Sequence, residues 1–131
     1  MEKPDVIHMV GGIVDVRDFS AFNSIHGRAV GDQLLRHLKQ HFSHLAALGI
    51  HSLSGDGDEI VFWSESLEMS DLRKHILKIE SQLRNEYRDF QMWCGFSTMS
   101  KDTFDSRIFF RQMNQFLPQI KMSNKAVDST R

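Results

Sequence analysis

The sequence predicts an α+β fold in which helices cover a mostly antiparallel β-sheet of the split βαβ type. Short apolar runs rich in Val, Ile and Phe alternate with longer stretches of helical periodicity. Two of the apolar runs flank a tight turn, whereas helical stretches separate the others. At 131 residues the chain fits a single domain, which we expect to span residues 1–131 with a polar tail from about residue 128.

Four segments have the composition of strands, namely residues 6–16, 50–53, 59–63 and 90–98. The second and third flank the run Ser-Gly-Asp-Gly-Asp at 54–58, which is rich in turn-forming residues. This run predicts a β-hairpin that carries carboxylates at its tip.

Helical periodicity is present in four other segments, namely residues 19–25, 28–48, 71–87 and 103–117. We expect Ser70 or Asp71 to cap the third helix, and Pro118 to interrupt the fourth. The segment after Pro118 is polar, and we expect it to fray after Val127.

Composition excludes several classes of protein. The formal net charge is −1, so the chain lacks the basic excess of a protein that wraps nucleic acid. Cys94 is the single cysteine, which rules out an internal disulfide framework and fits a reducing compartment. No apolar stretch approaches a membrane span, and the N-terminal residues lack the features of a secretory signal. We therefore expect a cytoplasmic protein with no direct nucleic acid or membrane binding.

Three carboxylates fall at the ends of predicted strands. Asp15 closes the first strand, and Asp58 and Glu59 lie at the hairpin tip. If the first strand neighbours the hairpin, these acids converge at one end of the sheet, where they repel unless a cation or a proton joins them. Mg²⁺ takes oxygen ligands of this kind together with substrate phosphates. The alternative is that each acid is only a soluble turn former.

Several motifs, which follow one another in the same order along the chain, resemble those of the GGDEF domains of diguanylate cyclases. The run DVRDFSAFNSIHGRAVGDQLL at residues 15–35 resembles their opening segment, and Asp56-Gly57-Asp58-Glu59-Ile60 falls where their GGDEF signature lies. The segments 94–97 and 117–125 resemble two later motifs, so the resemblance covers nearly the whole chain. It implies a ferredoxin-like palm fold and an enzyme that builds a cyclic nucleotide from nucleoside triphosphates.

The resemblance implies a metal site and the catalytic groups. Asp15 and Asp58 would bind two Mg²⁺ or Mn²⁺ ions per active site, helped by the main-chain carbonyl of Val16. Glu59 would assist metal binding or accept the proton of the ribose 3′-hydroxyl.

The resemblance also implies a site for the phosphates. Main-chain N–H groups near Asp18, Phe19 and Ser20 would cradle them at a helix start, as helix N-termini do. Lys121 and Lys125 would neutralise the phosphate tail.

Four further residues would border the nucleotide. Asp56 and Gly57 lie in the signature turn, where Gly57 would let the nucleotide approach the backbone closely. Asn23 and Asp32 correspond to the guanine readers of the family. A carboxylate accepts from the N1–H and the exocyclic amine of guanine, whereas adenine offers an acceptor at N1. If Asp32 instead caps the long helix or packs its first turn, the base stays undetermined.

The sequence also departs from the diguanylate cyclases. Arg17 stands where a second acid is usual, and it could weaken metal binding or contact a phosphate. Ser20 replaces a phosphate-binding Lys, and Asp56 replaces the first Gly of the signature. The usual Asp-x-Leu-Thr-Gly-Leu and Arg-x-x-Asp motifs are not found. In these absences the chain resembles the minimal CRISPR polymerases, which implies cyclic nucleotide signalling in antiphage defence, often with adenine.

These observations predict one leading function and three alternatives. The leading function is a nucleotidyltransferase that condenses GTP or ATP into a cyclic di- or oligonucleotide messenger. The resemblance implies a homodimer, because each subunit binds one nucleotide, and a separate effector that reads the product. The alternatives are a diguanylate cyclase that makes c-di-GMP from GTP, a degenerate GGDEF module that binds a nucleotide without turnover, and a triphosphate-opening hydrolase.

Overall fold

Four strands and four helices make up the computed structural model, which describes residues 8–55 and 57–129, with side chains as far as residue 123. The strands are β1 (His8–Val16), β2 (His51–Ser54), β3 (Glu59–Ser64) and β4 (Met92–Ser100). The helices are α1 (Phe19–His26), α2 (Arg28–His44), α3 (Met69–Glu86) and α4 (Ser106–Ser129). Short 3₁₀ turns follow α2 (Leu45–Leu48) and β4 (Lys101–Thr103). None of the described helices is both long and apolar enough to cross a membrane.

The strands form one antiparallel sheet in the order β2-β3-β1-β4. Strand β1 is central, and in its register Asp15 lies opposite Glu59 on β3 and opposite Trp93 on β4. Strands β2 and β3 form the predicted hairpin, in which the Gly55 N–H donates to the Glu59 carbonyl at 3.3 Å. The predicted α+β fold with a carboxylate-bearing hairpin is confirmed.

The sheet is covered on both faces, because alternate side chains of β1 point to opposite sides. Val14 packs into the larger core together with the buried side chains of α1, α2 and α3. Ile13 packs into a second core together with the buried side chains of α4. Asp15 is two residues from Ile13 and therefore shares the face that α4 covers.

The ends of two elements differ from the prediction. Helix α3 begins at Met69 with Glu68 as its N-cap, so neither Ser70 nor Asp71 caps it. Met69 packs against the larger core, which favours an earlier start of the helix. Strand β4 begins two residues later than predicted, since the Phe90 N–H donates to the Tyr87 carbonyl in a turn (2.9 Å).

The expectation that Pro118 interrupts the fourth helix is wrong. The helix runs from Ser106 to Ser129 with Pro118 inside it. A proline in a helix interior removes one hydrogen bond and costs about 3 kcal/mol. That cost is offset by burial on both sides of the proline, where Met113 and Ile120 pack into the same core. Because the helix continues, Lys121 reaches the end of β1.

Candidate active site

Three carboxylates meet where β1 ends and β3 begins. Asp15 and Glu59 are direct cross-strand partners, and Asp58 immediately precedes Glu59. One carboxylate oxygen from each residue lies within 4.8 Å of the others. Asp15 is buried, whereas Asp58 and Glu59 are half-buried. Like charges that face each other on a sheet destabilise it, so this cluster favours a bound cation or a proton.

The protonation of Asp58 reflects this crowding. Burial raises the pKa of Asp58 to about 6, and the charge of Asp15 and its hydrogen bond to Asp58 add to the effect. Glu59 raises the pKa further by a smaller amount. At neutral pH the Asp58 carboxylate is mostly ionised and can bind a cation, whereas below pH 6 it holds a proton.

The two carboxylate oxygens of Asp15 have different surroundings. Its Oδ2 forms an ion pair with Lys121 Nζ at 2.9 Å. Its Oδ1 is one of two buried side-chain atoms without a hydrogen-bond partner in the described part of the chain. Such an atom costs about 1 to 3 kcal/mol unless a ligand satisfies it. An all-oxygen donor set with one unsatisfied buried oxygen fits Mg²⁺ or Mn²⁺.

The hairpin turn holds the third carboxylate close to the other two. A Cβ added to Gly55 would collide with Oε1 of Glu59, so a residue with a side chain at this position would displace the carboxylate. The glycine therefore makes room for Glu59 to fold back over the turn.

A cavity of about 610 Å³ lies beside Asp15 and Asp58, but not Glu59, and extends to the start of α1. It is lined by Asp15, Val16, Asp18, Phe19, Ser20, Asn23, Asp58, Trp93 and Lys121. Asp18 is the N-cap of α1 in the left-handed conformation (φ 53°), and its side chain does not cap the helix. The first-turn N–H groups of a helix have no intrahelical partner, so α1 presents donors suited to phosphate at this cavity.

Asn23 lies on the helical wall of this cavity, and its Oδ1 is the other buried atom without a hydrogen-bond partner among the described residues. A Cβ added to Gly31 on α2 would collide with this oxygen, so the glycine makes room for the amide. The neighbouring Asp32 is exposed and does not line the cavity. Gly27 is the N-cap of α2, so the alternative in which Asp32 caps this helix is wrong.

The remaining predicted residues lie farther from the cavity or outside the described part of the chain. Gly57 is exposed at the hairpin tip and does not line the cavity. Asp56 and the side chain of Lys125 lie outside the described residues.

Trp93 was not predicted from the sequence as a site residue, and Arg17, whose role the sequence left open, lies in a neighbouring groove. Trp93 lines the cavity, but an aromatic residue in an apolar strand indicates core and gives no sign of a binding role. The Arg17 guanidinium lies 4.3 Å from the centre of the Trp93 ring and lines a separate groove of about 670 Å³ between α3 and α4. Arg17 does not line the cavity that contains Asp15 and Asp58.

No protein-family model and no curated protein matches the chain. Solved structures do match it. The GGDEF domain of DgcB from Caulobacter crescentus, in complex with c-di-GMP, matches with a TM-score of 0.68 and 16% identity, over 88% of this chain and 73% of that one. The active GGEEF domain of a diguanylate cyclase from Vibrio cholerae matches with a TM-score of 0.62 and 17% identity, over 88% and 78%.

A bacterial light-regulated adenylyl cyclase also matches, with a TM-score of 0.59 and 14% identity, over 73% of this chain and 55% of that one. Because the sequence identities are this low, the similarity to these structures shows the fold alone. The chain has the GGDEF-type palm fold, as its motifs predicted.

Proposed function

We propose that this chain is a metal-dependent nucleotidyltransferase that condenses nucleoside triphosphates into a cyclic di- or oligonucleotide and releases pyrophosphate. One observation carries the proposal: Asp15 and Asp58, with Glu59 within 4.8 Å of both, line a cavity whose walls also hold the start of α1 and Lys121. The palm fold shared with diguanylate cyclase domains supports the same reaction class.

The acids supply the metal site and the base. Asp15, Asp58 and the main-chain carbonyl of Val16 would hold two Mg²⁺ or Mn²⁺ ions, with help from Glu59. When bound, such ions lower the pKa of an attacking hydroxyl and stabilise the charge of leaving pyrophosphate. Glu59 lies beside the other two acids and also accepts the proton of the ribose 3′-hydroxyl.

The rest of the cavity binds the triphosphate. Main-chain N–H groups of Phe19 and Ser20, after the N-cap Asp18, cradle the phosphates at the start of α1. Lys121, which also lines the cavity, neutralises part of their charge, and Lys125 is proposed to assist it. We also propose that Gly57, which is exposed at the hairpin tip, and the preceding residue Asp56 border the bound nucleotide.

For a cyclic dinucleotide the reaction is two identical displacements, and a larger ring needs one displacement per nucleotide. The 3′-hydroxyl oxygen of one nucleotide bonds to the α-phosphorus of another, the bond from that phosphorus to the β-phosphate oxygen breaks, and pyrophosphate leaves. A second displacement closes the ring. We propose that each chain binds one nucleotide in this cavity, of about 610 Å³, and that a second copy of the chain faces the first for ring closure.

The identity of the base depends on Asn23 and Asp32. Asn23 offers an unsatisfied buried oxygen at the cavity wall. Asp32 directly follows Gly31, the residue that makes room for the Asn23 amide. These acceptors favour guanine, as in a diguanylate cyclase. The fold also occurs in an adenylyl cyclase, so ATP belongs in the same tests as GTP. The antiphage role suggested by the minimal CRISPR polymerases, with a separate effector for the product, stays a prediction.

The test is product analysis with the purified full chain. We would incubate it with Mg²⁺ and each triphosphate, alone and in pairs, and identify the products by mass spectrometry. The expected result is a cyclic di- or oligonucleotide and pyrophosphate from wild type, and none from Asp58→Asn. Asp102→Asn is the matched control, because it removes the same charge at an exposed position in the 3₁₀ turn after β4.

The degenerate module is the second candidate function, and the ion pair between Lys121 and Asp15 favours it, since a lysine there competes with a metal ion. A chain that binds triphosphates tightly but yields no product under any of these conditions would be such a module. Linear hydrolysis products alone would indicate the hydrolase.

A further inference from the structure

Lys121 occupies part of the acidic site. Its Nζ lies 2.9 Å from Asp15 Oδ2, and its side chain is 40% exposed, so the ammonium group bridges the buried acid and the open cavity. Its position is fixed by packing, because the preceding Ile120 is buried and fills the space that Gly95 leaves free on β4. The contact therefore follows from the way α4 docks on the sheet.

The two carboxylate oxygens of Asp15 offer two positions at which a positive charge can bind. Three carboxylates lie within 4.8 Å, and one ammonium group reaches them at Oδ2 of Asp15. Oδ1 of Asp15 has no hydrogen-bond partner within the described residues. A divalent cation can use Oδ1 together with Asp58 and leave Lys121 in place. A second cation on Asp15 needs Oδ2, which the ammonium group holds.

From this asymmetry we infer that Lys121 acts as a built-in cation that fills one of the two metal positions until a triphosphate draws it away. The inference rests on the proposed function. In the absence of nucleotide the chain then binds one divalent cation, and the second position opens only when the nucleotide arrives.

Lys121 can pair with Asp15 in the nucleotide-free chain and with the phosphates in the nucleotide-bound chain, because it lines the cavity that would hold the phosphates. A triphosphate carries more negative charge than a single carboxylate and offers several acceptor oxygens to an ammonium group. Transfer of Lys121 from Asp15 to the phosphates frees Oδ2 and leaves the acids with less positive charge. Nucleotide and metal must then strengthen each other's binding, and the coupling is equal in both directions.

The test is Mn²⁺ binding to the chelator-treated full chain without nucleotide, measured from the free Mn²⁺ signal in electron paramagnetic resonance. We expect wild type to bind one Mn²⁺ per chain. Lys121→Gln should bind a second ion, or bind the first at least about tenfold more tightly, because a positive charge next to the site is lost. Lys121→Arg keeps the charge and should resemble wild type.

Lys101→Gln is the matched control. Lys101 also forms an ion pair, with Glu65 at 3.0 Å, and its side chain is 43% exposed. It follows Ser100, which pairs with His8 at the opposite end of β1 from Asp15. This variant should bind Mn²⁺ as wild type does.

Thermal unfolding gives a readout that does not depend on turnover. In chelator, Lys121→Gln leaves the buried Asp15 without its counter-ion and should lower the melting temperature. Added Mn²⁺ should then raise that temperature more in Lys121→Gln than in wild type.

The inference is overturned if Lys121→Gln binds Mn²⁺ in the same number and with the same affinity as wild type. Asp58→Asn tests the proposed function separately. If that variant keeps both Mn²⁺ binding and product formation, the proposed metal site is wrong whatever Lys121 does. If it loses both while Lys121→Gln behaves as wild type, only the inference about Lys121 fails.

Discussion

Asp15 and Glu59 face each other across neighbouring antiparallel strands, one buried and the other half-buried. A pair of carboxylates opposite each other opposes folding, and Asp58 adds a third negative charge beside them. The only described group within ion-pair distance of Asp15 is the ammonium group of Lys121. The site thus gives up stability for a geometry that a divalent cation can use, a trade often found at active sites.

Asp58→Asn should stabilise the metal-free protein near neutral pH. The folded-state pKa of Asp58 is about 6, against an ordinary value of 3.8, so the folded chain holds this proton more tightly than the unfolded chain. The resulting stability is complete below pH 3.8 and is lost as the pH rises through about 6. We expect a gain of roughly 1 to 2 kcal/mol at pH 7 after allowance for solvent screening.

Urea unfolding in chelator at several values between pH 3.5 and about 7 measures this effect. The difference in unfolding free energy between wild type and Asp58→Asn should grow across that window. A constant difference would show that Asp58 titrates normally in the folded protein.

Gly31→Ala should weaken nucleotide binding through Asn23. An alanine Cβ at position 31 would collide with Asn23 Oδ1 and displace the amide from the cavity wall. In an unobstructed helix the same change would stabilise the protein by up to about 1 kcal/mol. We expect KM to rise several-fold with kcat less affected, together with loss of stability.

The double variant Asn23→Ala/Gly31→Ala isolates this contact. Because the shorter side chain removes the collision, Gly31→Ala should be stabilising in the Asn23→Ala background. Additive effects on stability would show that position 31 acts independently of Asn23.

Ile120→Ala should destabilise the protein by about 2 to 5 kcal/mol, since it leaves a cavity between α4 and the sheet. Ile120 is 5% exposed, whereas Ile108 on the same helix is 48% exposed. Ile108→Ala makes the same chemical change and should cost no more than about 0.5 kcal/mol. Equal losses in the two variants, measured by urea unfolding, would contradict the packing that fixes Lys121.

Asp32→Ala should relax the choice of base more than it slows the reaction. Asp32 is exposed and does not cap α2, so its removal should leave the fold intact. The measurement is the ratio of kcat/KM for GTP and ATP, with Asp71→Ala on α3 as the control. An unchanged ratio would remove Asp32 from base recognition.

Much of this structure is predictable because it is encoded locally. The hairpin follows from turn-forming residues between two strand-like runs, and its tip carries Asp58 next to Glu59. The position of Asp15 beside them follows from the pairing of β1 with β3, which the split βαβ pattern favours.

The unpredicted features depend on packing between distant segments. Pro118 ends a helix by local rules, but burial of Met113 and Ile120 on either side of it outweighs that preference. The ion pair between Lys121 and Asp15 exists only because α4 continues past the proline. Trp93 reaches the cavity through its register opposite Asp15, which no local pattern specifies.

The most direct test of the metal site is anomalous diffraction from crystals grown with Mn²⁺ and a non-hydrolysable triphosphate. The proposed site predicts an anomalous peak about 2.1 Å from carboxylate oxygens of Asp15 and Asp58 and from a phosphate oxygen of the nucleotide. A nucleotide bound in this cavity with Lys121 still on Asp15 and no peak beside the acids would contradict it.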